Sequence, residues 1–173
     1  NDLDRTRIGT PFPLFFGGFN NTLAYKSFRL DLLIYYSYGN DIFNSTRLYT
    51  ETVSIGNQTT AVLDRWREEG DITEVPAAST YNNRISSRFV EDGSYIRLKS
   101  IKLSYNLKSK LVNNWGLSSL EFYVAGKNLL TLTSYSGMDP EVNYNTSSSI
   151  VLGTDFFTCP QAKTILLGVC VKL

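Results

Sequence analysis

The sequence contains no histidine. That removes the usual general base and the commonest protein metal ligand, so no Ser-His-Asp or Cys-His set can form. Cysteine is nearly absent too, with only Cys159 and Cys170. If residues 162–172 form one extended strand, the two lie roughly 35 Å apart at about 3.3 Å per residue, too far to bridge. They read as unpaired, structurally incidental thiols. No run of eighteen apolar residues occurs, which excludes a transmembrane helix. It does not exclude barrel strands, which need only about ten residues each and alternate apolar with polar. Neither sign of charge is in excess: 17 Lys and Arg stand against 16 Asp and Glu, without the basic stripe of a nucleic-acid binder. The chain opens on Asn1-Asp2-Leu3-Asp4, with no initiator Met and no signal peptide, and so reads as a processed product or a fragment.

Aromatic residues are plentiful, led by 11 Tyr and 10 Phe, and with the Thr, Val and Ile content they favour an all-β chain. Five segments read as strands: 14–25, 28–38, 95–107, 119–132 and 162–173. Only Lys26 and Ser27 separate the first two, the length of a tight hairpin. The second alternates well, with Phe28, Leu30, Leu32, Ile34, Tyr36 and Tyr38 on one face. Arg29, Asp31, Tyr35 and Ser37 share the other, and Leu33 is the exception. In the third strand the apolar phase slips: Ile96 and Leu98 fall on one face, Ile101, Leu103, Tyr105 and Leu107 on the other. A β-bulge near Ser100 accounts for that, and so does an upper half standing clear of a membrane. In the fourth, Leu120, Phe122 and Val124 oppose Glu121, Tyr123 and Lys127. The fifth carries an unbroken stripe of Ile165, Leu167, Val169, Val171 and Leu173, opposite Thr164, Cys170 and Lys172.

The connections run short, long, short, long. Residues 39–93 and 133–161 are the long ones, the first with a short helical candidate at 61–69 (AVLDRWREE). Outer-membrane barrels alternate in this way, with short periplasmic turns and long extracellular loops. A soluble sandwich usually has strands of about five or six residues, and these are roughly twice that. Five strands cannot close a barrel with a lumen, so more chain is expected before Asn1.

Several stretches resemble one family. They are PFPLFFGGFNNTLAYKSF (11–28), SYGNDIFN (37–44), SSRFVEDGSYIRLKSIKLSYNL (86–107), LEFYVAGKNLLTLTSYSGMDPEVN (120–143) and PQAKTILLGVCVKL (160–173). In order and spacing they are similar to the C-terminal region of SusC/RagA-type TonB-dependent transporters. The resemblance implies that residues 1–173 form the C-terminal part of a 22-stranded barrel. It also implies an N-terminal plug outside these residues, energy delivered through TonB, and a SusD-like surface lipoprotein closing over glycan or peptide. The C-terminus would face the periplasm. This chain departs from the family in ending on Leu173 rather than an aromatic residue, and in holding Cys159 and Cys170. A free-standing soluble β-domain binding carbohydrate through its tyrosines is the competing reading.

The facing pattern assigns Leu30, Leu32, Ile34, Tyr36, Ile165, Leu167, Val169, Val171 and Leu173 to lipid. Arg29, Asp31, Tyr35, Glu121, Tyr123 and Lys127 are assigned to the lumen, where the first three guide substrate or, as the favoured reading, hydrogen-bond to the plug. Arg65, Trp66 and Arg67 have the composition of an interface hot spot, with Trp66 outward on a helix; Trp66 packed inside its own loop is the alternative. Asp139, Glu141 and Asp155 are oxygen ligands of the type calcium uses, but their spacing fits no calcium loop, and a solvated loop stiffened by Pro140 is preferred. Glu68 and Glu69 would diverge by about 100° on a helix and cannot face each other as a glycosidase pair. No catalysis, cofactor or metal is expected. The Asn-x-Ser/Thr matches at Asn20, Asn44, Asn57 and Asn145 carry no glycan message in a bacterial protein.

Overall fold

The computed structural model describes residues 5–52, 56–78, 84–107, 112, 116–145 and 151–172. In chain order they form β1 (Phe15–Tyr25), β2 (Phe28–Tyr38), β3 (Asp41–Asn44), α1 (Ser45–Thr50), β4 (Val90–Asp92), β5 (Tyr95–Leu107), β6 (Ser119–Thr133), β7 (Thr154–Asp155) and β8 (Thr164–Lys172). Short 3-10 turns lie at Thr60–Asp64 and Ser87–Phe89. The chain divides into a sheet unit (Leu14–Tyr38, Ser94–Ser134, Pro160–Leu173) and a loop unit (Asn1–Pro13, Gly39–Gly93, Tyr135–Cys159).

The sheet unit is a five-stranded antiparallel sheet of order β1-β2-β5-β6-β8. Its strands are the five segments read from sequence, with ends shifted by a residue or two; Leu173 lies outside the described residues. The β1–β2 hairpin turns through Lys26, whose φ of 55° lies in the left-handed region. Cross-strand partners share a face, so the register reads out each face directly. Phe28, Leu30, Leu32 and Ile34 of β2 pair with Tyr105, Leu103, Ile101 and Leu98 of β5. Those continue onto Phe122, Val124, Gly126 and Leu130 of β6, and onto Val169, Leu167 and Ile165 of β8. One face is therefore apolar across the strands, and most of its outer side chains are exposed.

The phase slip in β5 has a local cause. Leu33 pairs with Ser100 and Ile34 with Leu98, which leaves Lys99 as an extra residue. On the other side Leu98 faces Leu130 and Ser100 faces Lys127, so Asn128 and Leu129 stand opposite Lys99, with Asn128 at φ 52°. This is the bulge near Ser100. Without it, the one-residue offset would turn Ile101, Leu103 and Tyr105 onto the polar face.

The loop unit is not the featureless loop expected for 39–93 and 133–161. It holds a small sheet of order β4-β3-β7, in which β3 runs antiparallel to β4 and parallel to β7. Ile42, Leu48, Val62, Val75, Phe89 and Tyr135 form its buried apolar centre. The helix expected over 61–69 is also corrected. Only Thr60–Asp64 winds, as 3-10, because Arg65 turns extended and enters a parallel bridge with Val75. Trp66 N–H then donates to the Val75 carbonyl at 2.8 Å, and the Asp71 carboxylate accepts from the N–H groups of Arg67 and Glu68. The helix that does form, α1, is capped by Asn44, whose Oδ1 accepts from Arg47 N–H at 3.0 Å.

Candidate functional site

The polar face of the sheet carries all six residues expected to line a lumen. Arg29, Asp31 and Tyr35 alternate with the apolar residues of β2, and Glu121, Tyr123 and Lys127 alternate with those of β6. Arg29, Asp31, Tyr35, Glu121 and Tyr123 already have partners. Arg29 Nε lies 2.9 Å from Asp31 Oδ2, and Thr22 Oγ1 donates to Asp31 Oδ1 at 2.6 Å. Lys102 Nζ lies 2.8 Å from Glu121 Oε1 and 4.6 Å from the centre of the Tyr123 ring. Tyr35 and Tyr95 rings lie 6.1 Å apart. Both ion pairs are substantially exposed, so each contributes about 0–1 kcal/mol. Their effect is to fix side-chain positions on a face where basic residues, Arg97, Lys127 and Lys172 among them, outnumber the acids.

Tyr123 also covers a neighbouring strand. Its register partner on β8 is Gly168, where a Cβ would lie 2.3 Å from Tyr123 Cζ. The ring reaches across because glycine leaves that space open. Cys170, on the same face, and Cys159 are both exposed and unbridged.

The apolar face is graded along the strands. At the hairpin end it presents Tyr25, Phe28, Tyr105 and Phe122, with the Phe28 and Tyr105 rings 4.8 Å apart. At the other end Phe15 stacks on Tyr38 at 5.0 Å and meets Tyr36 at 6.1 Å. Between them the rows of β2, β5 and β8 are aliphatic, with Leu30, Leu32, Ile34, Leu98, Ile101, Leu103, Ile165 and Leu167, while β1 sets Leu23, Asn21 and Phe19 at the same levels. The expected lipid-facing residues, Leu173 apart, all lie on this face.

In the loop unit a charge network unforeseen from sequence ties three chain segments. Arg47 bonds Glu51 at 2.7 Å and Glu91 at 2.8 Å, and Arg88 bonds Glu51 at 2.6 Å. Glu91 also accepts from Ser136 N–H and Oγ, both at 2.9 Å, and from Asn44 Nδ2 at 3.1 Å. Burial pushes the Glu91 carboxyl up, but the bonds from Arg47, Ser136 and Asn44 outweigh it and hold it below the usual carboxylate range. Hydrogen bonding to Glu51, then to Glu91, raises the Arg47 guanidinium above its ordinary value. Asn44, Arg88 and Glu91 fall inside the sequence stretches 37–44 and 86–107 that carried the family resemblance, which was the available signal.

The loop candidates separate. Trp66 stays partly exposed, at 41%, while Arg65 and Arg67 fold back onto the carbonyls of Val62 and Leu63. Asp139 and Asp155 are buried rather than solvated, which corrects the preferred sequence reading. Asp155 accepts from the Tyr135 hydroxyl at 2.6 Å and from Thr158 N–H at 3.2 Å, and Asp139 from Glu141 N–H at 2.8 Å. Burial, reinforced by Asp155, pushes the Tyr135 hydroxyl well above its ordinary value. No group of acids or cysteines among the described residues has metal-holding geometry. Glu68 lies in a turn, so it and Glu69 share no helix on which to be compared.

No family model matches the chain. Among curated proteins, TonB-dependent receptor P3 of Formosa agariphila is 39% identical over 173 residues, 98% of this chain and 17% of its own length. TonB-dependent receptor P26 of the same organism is 33% identical over 178 residues, 97% of this chain and 18% of its own length. Among solved structures, the RagAB peptide importer in its open-open state superposes with a TM-score of 0.80 at 26% identity, covering 95% of this chain and 18% of that one. Its closed-closed state also gives 0.80, covering 94% and 18%. The chain therefore spans less than a fifth of the length of the relatives it matches. These relatives are TonB-dependent receptors and a peptide importer.

Proposed function

We infer that this chain, a segment of a SusC/RagA-type TonB-dependent receptor, forms the C-terminal part of the wall of a transmembrane β-barrel in the bacterial outer membrane. The barrel imports glycan or oligopeptide nutrients. Strands outside this chain complete it, 22 in all by family resemblance, and pair with the open edges of β1 and β8. TonB supplies the energy through the plug, and a SusD-like lipoprotein caps the mouth. The two long connections are extracellular and the C-terminus is periplasmic. The Trp66 region, with Arg65 and Arg67 beside it, contacts the lipoprotein.

One observation carries this reading: a largely apolar face with aromatic residues at both ends and mostly aliphatic rows between, backed by a polar face that holds two ion pairs. Phe28 to Tyr38 covers ten steps, about 33 Å along a strand and roughly 23 Å when tilted ~45°, close to the ~25 Å apolar band of outer-membrane barrels. Aromatic side chains at the two margins suit the headgroup levels. A soluble sheet with this face bare would aggregate. The polar face then lines the lumen, where Arg29–Asp31 and Lys102–Glu121 need no counter-charge from substrate. That supports a structural role for them beside the plug.

Spin labels at positions 31 and 32 of the full receptor in native outer membrane test the facing. Position 32 should be accessible to oxygen dissolved in lipid and position 31 to an aqueous nickel chelate. The reverse pattern, or release of the receptor from membranes without detergent, would sink the reading.

A further inference from the structure

The loop unit displays four aromatic rings as one cluster. Phe156 sits at the centre, edge-to-face with Tyr49 at 5.3 Å, Tyr144 at 5.0 Å and Phe157 at 5.1 Å. The three outer residues each expose more than half of their surface. Their backbones are pinned separately. Tyr49 lies on α1, which Asn44 caps; Tyr144 N–H donates to the Thr154 carbonyl at 2.9 Å; Phe157 N–H donates to Thr46 Oγ1 at 2.8 Å. Phe157 has φ 50°, a left-handed conformation that a bulky side chain adopts at a cost and glycine does not. A phenyl ring thus stands off this chain's own surface where folding alone would favour glycine. Strained, displayed residues of this kind concentrate at binding sites.

We propose that this cluster is a contact site for a neutral oligosaccharide, an inference that rests on the importer reading above. Among the described residues, no ionised side chain belongs to the cluster. Arg47, nearby on α1, is committed to Glu51 and Glu91, and Asp155 to Tyr135 and Thr158. What remains is exposed ring surface beside the hydroxyls of Tyr49, Tyr144 and Thr46. A pyranose ring has a matching surface, an apolar C–H face with hydroxyls at its rim. Area decides against a protein partner as the main occupant. Three rings, each roughly half exposed out of about 200 Å², offer about 300 Å², while a stable protein interface needs about 800 Å² from each partner.

The test uses the full receptor in detergent on an array of immobilised neutral hexasaccharides (cello-, laminari-, xylo- and malto-series) beside sulfated and uronate-bearing glycans and synthetic peptides. The wild type should retain at least one neutral glycan. Phe157→Gly removes the ring while relieving the backbone, so it should fold at least as well as wild type and bind about tenfold more weakly, as expected for loss of an aromatic anchor. Tyr49→Ala should weaken binding similarly and Tyr49→Phe much less. Retention of charged glycans or peptides alone, no retention of any neutral glycan, or unchanged binding by Phe157→Gly and Tyr49→Ala overturns the proposal. A receptor that embeds normally in the outer membrane but retains only peptides would overturn the glycan assignment and leave the importer reading intact.

Discussion

Gly168→Ala should loosen the pairing of β8 with β6, and by an amount that depends on a single ring. The new Cβ would lie 2.3 Å from Cζ and 2.4 Å from Oη of Tyr123, its partner across the two strands. Swinging the ring aside means giving up its contact with the Lys102 ammonium, which lies 4.6 Å from its centre and is paired with Glu121 at 2.8 Å. Overpacking of this kind costs about 1–3 kcal/mol, and disturbing the exposed cation–ring contact adds about 0.5–1 kcal/mol. Alanine returns about 0.5–1 kcal/mol over glycine in a strand interior. The net loss should be about 1–3 kcal/mol. With Tyr123→Ala already present the clash partner is gone, and Gly168→Ala should become neutral or stabilising by about 0.5–1 kcal/mol. The coupling energy of the cycle is then about 1.5–4 kcal/mol, well above the additivity error of about 0.3–0.5 kcal/mol. The midpoint of urea-induced loss of the heat-modifiable folded band of the full receptor measures each corner. An equal cost for Gly168→Ala in both backgrounds would falsify the idea that the glycine serves the tyrosine.

The apolar face predicts a depth gradient along one strand. Ile165→Arg, level with Leu32 in the aliphatic middle, should cost about 2–4 kcal/mol, and Val169→Arg, level with Phe28 and Phe122, about 0–1 kcal/mol; equal costs in a folding titration into lipid vesicles would contradict the facing. In the loop unit, Glu91→Gln should cost about 1–3 kcal/mol by weakening charge-assisted bonds to Arg47 and Ser136. The folded Glu91 carboxyl lies below its ordinary value, so its contribution is complete at neutral pH and is lost as pH falls through that lower folded value. Protection of residues 44–51 against hydrogen exchange, corrected for the intrinsic rate at each pH, should therefore fall with acid in the wild type and respond less in the variant, and identical pH profiles would count against the network.

What could be read in advance follows the range of the forces involved. Alternation between faces is a local signal, so β1, β2, β5, β6 and β8 were legible almost to the residue, and the slipped phase in 95–107 narrowed the cause to two, one of them the Lys99 bulge. The segment at 61–69 misled because a locally helical composition lost to a bridge between Arg65 and Val75. The six-residue α1 was invisible for the opposite reason. It is too short to carry a periodic pattern, and its supports, Glu91 and the Asn44 cap, come partly from 44 residues away. The aromatic cluster gathers residues 49, 144, 156 and 157, and no spacing rule joins them.

That distance has a consequence for the order of events during biogenesis. Asn44 reaches Ser136 across 92 residues, and Thr46 reaches Phe157 across 111. Between them in the chain lie β5 and β6. Closing such wide intervals costs chain entropy before any contact repays it, which makes the step slow. The β1–β2 hairpin, closed by the near neighbours Tyr25 and Phe28, can zip first, whereas β2–β5 and β6–β8 must also close wide intervals. The loop unit has to wait until residues as late as Phe157 have arrived, so it should form after that hairpin, in the same late stage as the β6–β8 pairing, whose Thr164–Lys172 strand comes later still.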